Sequence, residues 1–282
     1  MTKRRYSYRG RVERPIRSLR AVVLIALAVV LTVVAISAIR PGGEQGRVNP
    51  DFDPGWLIVS LPTDIPQHQV NYIGFHVSFN PQMHVPNYVA WELTRGELDG
   101  EASRSRTSFQ PDPDVPGCAT ADDYRHSGFD RGHMVPAADM KWSARAMADC
   151  HYLTNIVPQD HSLNSGRWNS LEQKCRTLAQ RDSALVVICG PVLTDRIVRT
   201  IGDSRVAVPE RFFKVLFEPY AETPRAVAFI MPNRAVPDPL GSLAVTVDQL
   251  EEITGYDFFS TLPDSIENQM EATFNLREWG IR

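Results

Sequence analysis

Residues 21–39 run nineteen positions without a charge, rich in Val, Leu, Ile and Ala, with only Thr32 and Ser37 as hydroxyl interruptions. In a helix this stretch is ~28 Å long at ~1.5 Å per residue, close to the hydrocarbon thickness of a bilayer, and it predicts a transmembrane anchor. A cleaved signal peptide is the rival reading, but its apolar stretch is usually only about 7 to 15 residues and ends at small residues. Beyond the Gly/Pro-rich linker expected over residues 40–55, a domain is expected over 56–282. There the apolar pattern shortens. Runs at 72–77 and 88–93, separated by Asn80-Pro81 and Val85-Pro86-Asn87, read as a hairpin. Residues 185–189 form a strand closed by Gly190-Pro191, and 212–217 and 226–231 form two more. Helical spacing appears at Trp168, Leu171, Cys175 and Leu178, and a short helix from Val247 ends at Gly255. Strands and helices mix without a regular alternation, so the class is α+β.

Charge changes this picture. Residues 1–20 carry eight Lys or Arg against Glu13 alone, a basic segment of +7, and Arg40 follows the apolar stretch. That asymmetry places the N-terminus in the cytoplasm and the domain on the far side of the membrane. Residues 41–282 keep 21 basic against 32 acidic side chains, net −11. A global basic footprint for nucleic acid is thereby excluded, and any phosphate-binding surface must be local. Cys118, Cys150, Cys175 and Cys189 form no C-x-x-C pair and no zinc-finger spacing. Two disulfides are open to them outside the cytosol, in any of three pairings.

The stretch Asp130-Arg131-Gly132-His133, then Asn164, Glu172 and Arg176, carries the chemistry. Phosphodiester hydrolysis needs a base for water, a cation for the departing oxygen and positive groups against phosphate. Histidine is largely unprotonated near neutral pH and can be that base. Mg²⁺ takes hard oxygen ligands and keeps several waters, so one neutral Asn oxygen suffices as its protein ligand. If Asn164 opens the helix that carries Glu172 and Arg176, eight positions rotate by about 80° and the residues address one site. The bland alternatives are an exposed Glu172–Arg176 helix pair and an Asp130 that merely holds the loop through backbone or arginine hydrogen bonds. His68, His76, His84, His151 and His161 read as structural, and His126 as a surface residue.

Residues 130–139, 154–159, Leu163-Asn164, 168–172, 189–192, 208–215, 231–233 and 254–259 together resemble the non-specific DNA/RNA endonucleases of the ββα-metal (His-Me finger) fold, the endonuclease G and Serratia-type nucleases. The resemblance covers roughly residues 70–272. It implies a mainly antiparallel central sheet flanked by helices, with His133 as general base and Asn164 as the Mg²⁺ ligand, Mn²⁺ being a substitute. It also implies that Glu172 holds the ion's water, that Arg131 and Arg176 face the scissile phosphate, and that Asn155 supports the site by hydrogen bonding. The implied reaction cuts DNA and RNA without sequence preference and leaves 5′-phosphate ends. Membrane anchoring through 21–39 departs from the common family pattern, although some bacterial DNA-entry and mitochondrial members are membrane-associated. A bacterial envelope is the expected setting and the mitochondrial inner membrane the alternative. A catalytically idle relative, a nuclease restricted to DNA, and a homodimer stay open.

Overall fold

Val85–Thr94, the longest strand (β3), is buried at nearly every position, so neither of its faces can meet water. Such a strand must lie in the middle of a sheet covered on both sides. The computed structural model describes residues 51–194, 197 and 199–281 and has that arrangement. The strands are β1 (His68–Asn71), β2 (His76–Asn80), β3, β4 (Asp130–His133), β5 (Ile156–Gln159), β6 (Ala184–Pro191), β7 (Thr200–Ile201), β8 (Val206–Ala207), β9 (Arg211–Glu218), β10 (Arg225–Pro232) and β11 (Ala244–Val245). Seven of them form one sheet in the order β1-β2-β3-β6-β9-β10-β11, antiparallel at every step. Among the described residues β4 pairs only with β5, and β7 only with β8.

Side chains alternate between the two faces with the strand period of two. Val89, Trp91, Leu93, Leu185, Val187, Cys189, Phe212 and Leu216 point into one core. It also receives Ile156 and Val157 of β5 and Trp168, Leu171, Cys175 and Leu178. Tyr88, Ala90, Val186, Ile188, Phe213, Val215 and Phe217 point into the other, which receives Val247, Leu250 and Met270. The first core lies under α1 (Ala144–Asp149) and α2 (Asn169–Asp182), and the second under α3 (Val247–Thr254) and α4 (Asp264–Ala272).

The 72–77/88–93 hairpin appears as β2 and β3, although Tyr72 itself belongs to the link from β1. β6 runs through Gly190-Pro191 instead of stopping before it, because Gly190 and Pro191 still pair with Phe213 and Phe212. α3 has the predicted start and stop. Thr246 and Gln249 bond each other's backbone N–H groups, and Gly255 ends the helix with φ +69°. The basic segment 1–20, the apolar stretch 21–39 and the linker up to residue 50 lie outside the described residues. Among the described residues no helix is long and apolar enough to cross a membrane. The four thiols form no disulfide; Cys150, Cys175 and Cys189 are buried and Cys118 is half-buried.

Candidate active site

β4 owes its position to Gly132. A Cβ there would lie 2.6 Å from Cβ of Gln159, too close to the base of that side chain to be relieved by turning it, so glycine lets the two strands approach in the register Asp130↔Gln159 and His133↔Ile156. Asn155, fully buried, then fixes the chain beyond β4. Its Oδ1 accepts from Val135 N–H at 2.9 Å, and its Nδ2 donates to the carbonyls of Val135 (3.0 Å) and Cys150 (2.9 Å).

Arg131 and His133, two apart on β4, share one face and both meet Phe109. The His133 ring lies 5.3 Å from Phe109 and 5.0 Å from the edge-on His151, and the Arg131 guanidinium sits 5.3 Å over Phe109. His133 as a whole is half-buried; its Nε2 is sealed from water without a hydrogen-bond partner, so Nδ1 is the nitrogen left to meet water. Burial, with His151 and Arg104 adding to it, pushes its pKa down to about 3. The imidazole therefore stays neutral, the form that accepts a proton. Arg131 Nη2 donates to Ala121 O at 3.0 Å while its Nε is buried and unpartnered, so this guanidinium is only partly engaged.

On the same strand, Asp130 Oδ2 accepts from Asn164 Nδ2 at 2.9 Å and from His161 Nδ1 at 2.8 Å. These partners replace the backbone and arginine donors expected for Asp130. Asn164 does not stand on the first turn of α2. It lies in a wide π-helical segment, Leu163–Trp168, broken at Gly166 (φ −102°, ψ −106°), so the 80° rotation argument does not apply to it. Asn164 reaches the site because Asp130 holds its amide nitrogen, which leaves the oxygen free of hydrogen bonds among the described residues. No hydrogen bond joins Asn164 to His133; the link runs through Asp130, three residues before His133. A half-buried, uncommitted amide oxygen beside a carboxylate is a hard donor set of the kind that Mg²⁺ takes.

Glu172 and Arg176 face inward on α2 and do not form the exposed helix pair. Arg176 Nη1 bonds Asp139 Oδ1 at 2.9 Å, and Asp139 is fully buried six residues past His133. Lys214 of β9 completes the group. It is fully buried, its Nζ has no hydrogen-bond partner, and it lies 4.2 Å over the Trp168 ring and 5.3 Å over the Trp91 ring. Burial opposes its charge, but Cys189, Glu172, Cys175 and Asp139 around it outweigh that and the net shift is upward. Burial raises Glu172 to about 7, with Lys214 holding it down, Asp139 pushing it up and Arg176 holding it down. The indoles of Trp168 and Trp91 favour the ionised forms of Glu172 and Asp139, yet neither N–H reaches hydrogen-bonding geometry.

The DNA/RNA non-specific endonuclease family matches residues 55–265. Nuclease 1, mitochondrial, of Schizosaccharomyces pombe is 33% identical over 231 residues, 74% of this chain and 71% of that protein. The chain belongs to the DNA/RNA non-specific endonuclease family. Nuclease EXOG, mitochondrial, of Danio rerio is 38% identical over 207 residues, 68% of this chain and 60% of that protein. The chain thus spans less than two thirds of the length of the EXOG relatives it matches. A solved EndoG/EndoGI complex, described as showing the mechanism of EndoG inhibition, superimposes with a TM-score of 0.66 at 27% identity, covering 70% of this chain and 87% of that one.

Around the motif residues stand neighbours that spacing along the chain did not place there. His151 and His161, expected to be structural, lie beside the motif: one is edge-on to His133 and the other holds Asp130. Ligand atoms of His133, Cys150 and His151 all lie within 4.8 Å of one another, a nitrogen and sulfur cluster that spacing along the chain did not announce. Lys214 did carry a signal, as the lone charge inside the apolar run 212–217.

Proposed function

We propose that this chain is a Mg²⁺-dependent endonuclease that hydrolyses phosphodiester bonds of DNA and RNA without sequence specificity. The observation that carries the reading is His133, kept neutral by burial on the strand whose Asp130 orients Asn164. His133 takes the proton of the attacking water. Arg131 and Arg176 bring positive charge to the scissile phosphate, and Asn155 keeps the loop after His133 in place. Asn164 offers its oxygen to Mg²⁺, which when bound supplies positive charge for the departing 3′ oxygen, and Glu172 orients water near it. The ends produced are 5′-phosphates. Phosphate contacts carry no base information, so a site that works through Arg131 and Arg176 on the phosphate cuts without sequence preference.

The apolar stretch 21–39 behind the basic segment 1–20 supports an anchored enzyme with its N-terminus in the cytoplasm and its catalytic domain across the membrane. Relatives named as mitochondrial make the mitochondrial inner membrane the alternative to a bacterial envelope. The test incubates the full chain with plasmid DNA and with RNA, in Mg²⁺ and in EDTA. Cleavage of both substrates in Mg²⁺ alone is the expected result. Cleavage of DNA only restricts the substrate, and binding without cleavage makes the chain an idle relative.

A further inference from the structure

On the sheet face away from His133, carboxylates of α3 and α4 converge. Asp248 and Glu251 lie one turn apart on α3, and Glu271 reaches them from the end of α4. One oxygen from each residue lies within 4.8 Å of the others. Glu271 is only 5% exposed, and its Oε1 is shut off from solvent with no hydrogen-bond partner. A glutamate this deep is almost always paired, because an unpartnered buried carboxylate is costly. No Lys, Arg or His among the described residues forms an ion pair with any of the three. Glu251 Oε1 accepts from Phe258 N–H at 2.8 Å, which fixes its direction. Asp257 and Glu267 add negative charge from nearby.

We infer that Asp248, Glu251 and Glu271 form a structural divalent-cation site, distinct from the Asn164 centre, that takes Ca²⁺. All its donors are hard oxygens, and three carboxylates more than balance a charge of +2. Ca²⁺ accepts irregular shells with ligands at ~2.4 Å, so two ligands of one ion are at most about 4.8 Å apart, a limit these oxygens meet as they stand. Mg²⁺ demands shorter bonds and near-octahedral geometry, which suits it less. Exposed Asp248 leaves an entrance for the ion, and buried Glu271 forms the floor. The bound cation ties α3 to α4 where both cover the second core, so its effect falls on stability and not on cleavage.

The test is equilibrium dialysis of the full chain against radioactive Ca²⁺ at neutral pH, with thermal melting in parallel. Wild type binds one Ca²⁺ more than Glu271→Gln, and a roughly hundredfold excess over Kd raises the wild-type Tm by about 5 to 10 °C. Glu271→Gln keeps the side chain's shape and removes the carboxylate that forms the floor of the site. The variant therefore no longer responds to Ca²⁺ and retains its Mg²⁺-dependent cleavage. Asp248→Asn, at the exposed entrance, weakens Ca²⁺ binding about tenfold. Equal stoichiometry in wild type and Glu271→Gln, or a wild-type Tm indifferent to Ca²⁺, overturns the site. Stabilisation by acid without any Ca²⁺ response does so as well, since the carboxyls then share a proton.

Discussion

Carboxylates are buried on both faces of the central sheet, but in different company. Under α2, Asp139 and Glu172 lie among Arg176 and Lys214, cations that the chain itself supplies from a helix and a strand. Between α3 and α4, Asp248, Glu251 and Glu271 meet one another, and no side-chain cation among the described residues is paired to them. Glu172 is held at about 7, whereas Glu271, surrounded by Glu251, Glu267, Asp248 and Asp257, rises to about 9 on top of its burial. The same functional group thus answers to its neighbours as well as to its depth. For Asp139 and Glu172 the chain supplies the balancing cations itself. On the far face the balance is left to whatever the solution provides.

The largest effect that separates the faces is on catalysis. His133→Ala lowers kcat/KM by about 10²- to 10⁴-fold, the usual worth of a positioned general base, while far-ultraviolet circular dichroism stays unchanged. Glu271→Gln on the other face leaves kcat/KM where it was. Activity within tenfold of wild type in His133→Ala would remove that residue from the base role.

Next in size is Lys214→Met, which tests whether the built-in cations matter. Removing one partner from a buried charge group strands the rest, so unfolding by urea should show a loss of about 3 kcal/mol. Adding Glu172→Gln should return part of it, because the two residues share one group and their effects do not add. A neutral Lys214→Met would dissolve the contrast between the faces.

How much of this was legible follows from range. β2, β3, β6, β9, β10, α2 and α3 announce themselves through apolar periodicity within a dozen residues. β4 does not, since Asp130-Arg131-Gly132-His133 has no apolar alternation and becomes a strand only by pairing with β5 across Gly132. α4 hides for a similar reason, as only Met270 and Glu271 of its nine residues are buried. The wide turn at Asn164 breaks the helical period on which the reading relied, and Gly166 was its one local trace. The motif residues were readable because a resemblance carried them. Their partners His161 and Asp139 were not, because long-range packing chooses them, and Lys214 showed only as a lone charge in an apolar run.

A smaller effect concerns pH and sharpens the role of Glu172. Since His133 is pushed down to about 3, it is already neutral where most assays begin, and the acid limb of kcat/KM should follow Glu172 instead. Activity then rises with pH up to about 7, with a slope of about one in log units. Stability runs the other way. The folded-state pKa of Glu172 is raised from 4.5, so its contribution is full below about 4.5 and is lost as pH climbs through about 7. In Lys214→Met the inflection should move up, because the cation favouring the carboxylate is gone. A single inflection at about 3 would hand the acid limb back to His133.

The smallest expected change falls on the exposed neighbour of the built-in charges. The His161 side chain is 77% exposed and bonds the same Oδ2 of Asp130 that holds Asn164. A polar contact so open to water is worth about 0 to 1 kcal/mol, so His161→Ala should leave the Tm nearly unchanged. Asp130 still orients the Asn164 amide without it, and the Mg²⁺ concentration for half-maximal activity should rise less than about fivefold, the equivalent of ~1 kcal/mol. Asp130→Ala removes the orienting acceptor itself and should shift that midpoint by tenfold or more, at ~1.4 kcal/mol per decade. If His161→Ala costs as much as Asp130→Ala, the exposed ring does more than brace a carboxylate, and the division between internally balanced and solution-balanced charge must be drawn through the active site itself.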